Sequence, residues 1–138
     1  TNRPDEIKIK LDKLRNKIEN YRDEVYKLYS AWTEDADIIL VAYGSAAPAA
    51  LQAGRIAHDA GVKVGVVQLY TIWPFPEQPL IDLCRHAKKV IVAELNMGQM
   101  VHEVRRVLPR ETEIHTVQRY DGEILTPLQV LEKVDEVM

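Results

Sequence analysis

The chain has 138 residues, of which 46% are hydrophobic and 28% charged, an ordinary balance for one folded domain with its own core. A net charge of −3 offers no global attraction to nucleic acid or an anionic membrane, and no apolar run approaches membrane-spanning length. The one cysteine, Cys84, excludes an internal disulfide and any iron–sulfur cluster or cysteine-rich zinc site built by this chain alone, which suits a reducing cytoplasm.

The chain opens at Thr1 with neither a Met nor a signal-peptide pattern, so a piece of a longer polypeptide is expected. Residues 1–32 read as an amphipathic linker helix. Ile7, Leu11, Leu14, Ile18, Tyr21, Val25, Leu28 and Trp32 form one apolar stripe with alternating spacings of four and three. Pro4, Asp5 and Glu6 suit a helix start. Residues 3–32 hold eight basic and six acidic residues, net +2, whereas the rest of the chain is net −5. Such a shift in composition marks a boundary near residue 32. The stripe either packs on its own or a neighbouring domain, or pairs with a second copy as a homodimeric coiled coil. Tyr26, Leu28, Ser30 and Trp32 also alternate, so 26–32 is either more helix or a short strand. The helix is expected to end near Val25.

Residues 33–138 read as an α/β domain. The run IILV at 38–41 is apolar throughout, as a strand covered on both faces requires. Gly44-Ser45 makes the turn. Ser45 is expected to cap the next helix, with Pro48 in its first turn. Ala49, Ala53, Ile56, Ala57 and Ala60 fall on one face, letting that helix lie close to the sheet, and Gly61 closes it. The turn lacks the glycines of a dinucleotide loop and the lysine of a P-loop, and it reads as a turn that only turns. A second strand lies in 62–70, where Gly65 marks a close approach. The loop Thr71-Ile72-Trp73-Pro74-Phe75-Pro76 follows, held extended by its prolines. Pro79 then opens a helix facing inward with Leu80, Leu83, Cys84 and Ala87, so Cys84 reads as a packed thiol.

A third buried strand occupies 88–95 and ends at Glu94. Asn96 and Gln99 have capping-box spacing before a helix that turns Met97, Val101, Val104 and Leu108 inward. Residues 113–118 make a weaker fourth strand. Tyr120-Asp121-Gly122 is a turn, and Thr126 with Gln129 is a second capping box. It opens a last helix bearing Val130, Leu131, Val134 and Val137. This alternation predicts a three-layer α/β/α fold with a mostly parallel sheet of four to five strands.

Functional loops in such sheets follow the carboxyl ends of the strands. Gly44, Ser45, Trp73, Pro74, Phe75, Pro76, Glu94, Asn96, Gly98 and Gln99 should gather there as candidate interface residues. Trp73 and Phe75 either form an interface hot spot or cover the sheet edge of their own domain. Glu94 reads as a capping or hydrogen-bonding carboxylate rather than a general acid or base. His58, His86, His102 and His115 are scattered without metal-binding spacing, and no nucleophile elbow or nucleic-acid patch is present. No catalytic, cofactor-binding or metal-binding residue is assigned. A free-standing module binding an anion or small molecule at the Ser45 or Gly98 helix start is the alternative.

Five segments in register carry a resemblance: IILVAYGS at 38–45, GVKVGVV at 61–67, TIWPFP at 71–76, VIVAELNMGQM at 90–100 and DGEILTP at 121–127. Together the chain resembles the carboxyl-terminal part of the alpha subunit of 2-oxoacid:ferredoxin oxidoreductases of the 2-oxoglutarate and 2-oxoisovalerate types. The resemblance implies a transketolase carboxyl-terminal-like fold with five strands, the first antiparallel, which 26–32 would supply. It implies a parent enzyme that oxidatively decarboxylates a 2-oxoacid to an acyl-CoA with thiamine diphosphate, Mg²⁺ and iron–sulfur clusters. Those groups are bound elsewhere. The implied partners are the thiamine-pyrimidine domain of the same subunit and the beta subunit, with ferredoxin and CoA met through the whole enzyme. No nucleic acid or membrane contact is implied, and the isolated chain is expected to be inactive.

Overall fold

The computed structural model describes residues 3–138. Helix α1 (Pro4–Glu19) and one turn of helix α2 (Arg22–Val25) precede strand β1 (Leu28–Ala31). Then follow β2 (Ile38–Tyr43), α3 (Ala47–Asp59), β3 (Val64–Leu69), α4 (Glu77–Leu83), β4 (Lys89–Glu94), α5 (Gln99–Val107), β5 (Glu113–Gln118) and α6 (Pro127–Val137). The five strands form one sheet in the order β1-β3-β2-β4-β5. Strand β1 runs antiparallel to β3, Leu28 opposite Leu69, and every other pairing is parallel. The open stretch 26–32 is therefore a strand in its centre. The stripe that precedes it breaks at Asn20 and Tyr21.

Alternation along β2 divides the core. Ile38, Leu40 and Ala42 face the layer of α3 and α6, while Ile39 and Val41 face α4 and α5. Because both faces are covered, the middle strands need no polar residue, and burial of each Val, Leu or Ile contributes about 1.5–3 kcal/mol. Helix α3 lies close on the sheet through Ala50, Ala53, Gly54 and Ala57. A Cβ built on Gly54 would sit 2.2 Å from Cγ2 of Val66. Ile56 and Ala60, expected on this face, point to solvent instead; the helix is rotated so that its smallest residues meet β3. At Gly65 a Cβ would meet the Trp32 carbonyl at 2.8 Å, where the chain crosses from β1 toward β2.

Three expected helix starts are corrected. Gly44 takes a φ of +55°, and Gly44–Ala46 form one 3-10 turn, so α3 begins at Ala47 and Ser45 caps nothing. Helix α4 begins at Glu77, which puts Pro79 inside the first turn, where its missing N–H has no partner to lose. No capping box forms between Asn96 and Gln99, because Gly98, at a φ of +105°, stands at the N-cap. The box at Thr126 and Gln129 forms as expected, its two bonds 3.3 and 2.9 Å long.

The joint between α2 and β1 is fastened to the end of β3 by one side chain. Thr71 Oγ1 donates to the Val25 carbonyl at 2.7 Å and accepts the Lys27 N–H at 2.9 Å. Among the described residues no helix is long and apolar enough to cross a membrane.

Candidate functional site

Strands β2 to β5 are parallel, so the loops after Tyr43, Leu69, Glu94 and Gln118 leave the same edge of the sheet. Here the structure gathers the residues singled out by sequence. Glu94 is 0% exposed. Its carboxylate accepts the Met100 N–H at 2.5 Å and the Val101 N–H at 3.2 Å, so it caps α5 from the end of the preceding strand. Anionic acceptors suit a helix N-terminus, and the dipole helps hold the charge away from water. Asn96 Oδ1 takes the next two donors, Gly98 N–H at 2.8 Å and Gln99 N–H at 3.0 Å.

The Asn96 amide donates in turn to the Tyr43 hydroxyl, joining the exit of β2 to that of β4. Burial, and after it the Glu94 charge, push the Tyr43 hydroxyl above its ordinary value, while the Asn96 bond pulls it the other way. Gly98 completes the cluster. A Cβ there would approach the Gln118 amide nitrogen to 2.8 Å, so the β4–α5 loop lies directly against the exit of β5.

Tyr43 escaped the sequence reading; the signal was its place at a strand exit. The donors at the start of α5 are thus already satisfied from within. An anion arriving at Gly98 would have to displace Asn96 or a buried carboxylate. Ser45 lies exposed beside Gly44 and joins none of these bonds.

The loop after β3 divides. Pro74, Phe75 and Pro76 are buried, with Phe75 in the core against α4 and α5, while Trp73 is 74% exposed. Trp73 and Phe75 were expected to share one fate; the structure gives the interior to Phe75 and solvent to Trp73. A salt bridge from Arg106 to Glu77, 2.8 Å, ties α5 to the start of α4 below this loop. Met97, expected to face inward, stands out at 76% exposure because the Asn96 turn carries it over the tip. With Ile72, Tyr120 and Ile124, also exposed, Trp73 and Met97 make an apolar crown on the loops around the Glu94–Asn96–Tyr43 network.

Beside Trp73, a groove of about 520 Å³ runs between the loop and the end of α1, lined in part by Ile18 and Arg22. Cys84 packs in the core with its thiol pushed up to about 12 by burial. Among the described residues no three His, Cys, Asp or Glu side chains gather as a metal site.

The family model of the pyruvate:ferredoxin oxidoreductase core domain II matches residues 36–130. The chain is 35% identical over 122 residues to 2-oxoglutarate synthase subunit KorA of Methanothermobacter marburgensis, covering 88% of this chain and 32% of that one. It is 33% identical over 105 residues to ketoisovalerate oxidoreductase subunit VorB of Methanothermobacter thermautotrophicus, covering 75% and 29%. It thus spans about a third of the length of these relatives. Among solved structures, 2-oxoglutarate:ferredoxin oxidoreductase from Magnetococcus marinus, with 2-oxoglutarate, coenzyme A and succinyl-CoA bound, aligns over 99% of this chain and 24% of that one. The TM-score is 0.81 at 26% identity. A split-gene transketolase shares the fold at a TM-score of 0.62 and 24% identity, over 78% of this chain and 40% of that one.

Proposed function

The chain belongs to the pyruvate:ferredoxin oxidoreductase core domain II family, and on that premise we propose that it is a non-catalytic assembly domain of a 2-oxoacid:ferredoxin oxidoreductase subunit. In this reading the parent enzyme converts 2-oxoglutarate or a branched-chain 2-oxoacid to an acyl-CoA with thiamine diphosphate. The relatives named for 2-oxoglutarate and ketoisovalerate support those two substrates. The domain packs on the thiamine-pyrimidine domain of its own subunit and on the beta subunit.

One observation carries the interface role: at the carboxyl edge Glu94, Asn96 and Tyr43 are bonded to one another or to the start of α5, while the large side chains of Trp73 and Met97 stand exposed on the loops beside them. A substrate site needs unspent donors and acceptors, whereas an interface core is depleted of charge and rich in aromatic and Met side chains. The residues present do not fit an iron–sulfur cluster. Iron–sulfur ligation calls for several thiolates, and this chain has one buried thiol.

Titrating the isolated chain with thiamine diphosphate and Mg²⁺ in a calorimeter tests the reading. No binding heat is expected, and micromolar binding would overturn it. Within the full complex, Trp73→Ala should release the neighbouring subunit more readily; unchanged subunit stoichiometry on dilution would count against the interface.

A further inference from the structure

Helix α1 presents a second surface, which meets the Trp73 groove only at Ile18. Ile7, Leu11, Leu14 and Ile18 occupy the a and d positions of two heptads and span roughly 16 Å at 1.5 Å per residue. Ile7, Leu11 and Leu14 are 42%, 59% and 62% exposed, so the rest of the chain does not cover them. The positions flanking this seam are Lys8 and Arg15 on one side and Lys10 and Lys17 on the other. All four are basic. The acids of the helix, Asp5, Glu6, Asp12 and Glu19, sit further round its circumference. Among the described residues only Arg15 of the four is ion-paired, with Asp12 at 3.2 Å, and that pair is exposed and worth little.

We propose that this seam docks a partner polypeptide whose apolar groove or helical stripe is edged by carboxylates. The flanking positions of a heptad seam select the partner by charge. Parallel pairing with a second copy sets Lys10 against the Arg15 of that copy. Antiparallel pairing sets each basic edge against its like. Both arrangements repel, so the homodimer suggested by the stripe is disfavoured by the residues beside it. A membrane surface suits the seam less well. Interfacial helices present a broad apolar face with aromatic anchors, whereas α1 has two seam residues per heptad, no aromatic residue, and four carboxylates on its polar side. The proposal does not rest on the function assigned above, because its exposed residues Ile7, Leu11 and Leu14 belong to neither the crown nor the groove beside Trp73.

The test uses the 138-residue chain and two labelled 28-residue peptides with Leu at a and d, one with Glu and one with Lys at e and g. Fluorescence anisotropy up to about 1 mM peptide covers weak docking. The Glu peptide should bind at least about tenfold tighter than the Lys peptide at low salt and weaken as salt is added. The variant Lys8→Glu/Lys10→Glu/Lys17→Glu should reverse that preference, and circular dichroism will show whether its fold is kept. Leu14→Asp should abolish binding of both peptides. Equal binding of the two peptides, or binding of neither, overturns the proposal. So does a concentration-dependent dimer of the unaltered chain that Leu14→Asp dissolves. Stronger binding to phosphatidylserine–phosphatidylcholine vesicles than to the Glu peptide, lost in the triple variant, also overturns it, in favour of a membrane.

Discussion

The Glu94 carboxylate, with no exposure to solvent, accepts the Met100 backbone N–H at 2.5 Å and thereby binds the end of β4 to the first turn of α5. Glu94→Ala strands that donor and the Val101 N–H in the interior. The expected loss is about 2–4 kcal/mol, because buried donors without acceptors forfeit their solvation. Glu94→Gln keeps one acceptor oxygen and should lose roughly half as much. Urea unfolding measures both, with the slope unchanged if only the native cap is affected.

Gly54→Ala should destabilise although alanine is the better helix former. The added methyl falls 2.2 Å from Val66 Cγ2, and Val66 is a stiff branched residue buried between neighbouring strands. Overpacking costs about 1–3 kcal/mol against a helix gain of roughly 1. A melting temperature below that of the unaltered chain is the expected result. Val66→Ala in the same molecule should recover part of the difference.

Burial pushes the Cys84 thiol up to about 12 from an ordinary value of 9.0. A group whose folded value is raised contributes stability that is complete below its unfolded value and is lost as pH rises through the folded one. Stability should therefore begin to fall above about pH 9. Tyr43, also raised, adds to the fall at higher pH. Cys84→Ala should remove the onset nearest pH 9 while lowering stability at neutral pH. In the native chain Cys84 should resist alkylation at pH 8 and react on unfolding.

Trp73 and Phe75 lie two residues apart with opposite surroundings. Phe75→Ala opens the core between α4 and α5 and should cost about 3–5 kcal/mol. Trp73→Ala should leave the chain's own stability within about 0.5 kcal/mol. In the assembled enzyme it should weaken subunit binding by about 2 kcal/mol, the size of an aromatic hot spot. Denaturation of the chain and dilution of the complex separate the two effects.

The sheet was legible because its strands announce themselves. IILV, VGVV and VIVA have no polar residue to place, and β5 runs over the residues expected. Helix starts were less legible, since two of them depend on glycines with positive φ, which shift the first helical turn by one or two residues without changing composition. The face of α3 was misread because helical periodicity ranks Ile56 above Gly54 as a core residue, whereas the distance to β3 selects the residue with no side chain. For the site, residue identity pointed to the right loops, but exposure within them was hidden. Whether Trp73 or Phe75 turns inward, and that Met97 rides the tip of an asparagine turn, depends on contacts between segments far apart in sequence. The cationic edges of α1 were present in the sequence throughout, and they gain meaning once the seam between them is seen to lie uncovered.

The Thr71 hydroxyl, bonded at once to Val25 and Lys27, pins the end of α2 to the sheet. Force applied to that turn arrives at the end of β3, one strand in from the margin. A pull there is shared between the edge strand and its inner neighbour, so the margin of the sheet does not bear it alone.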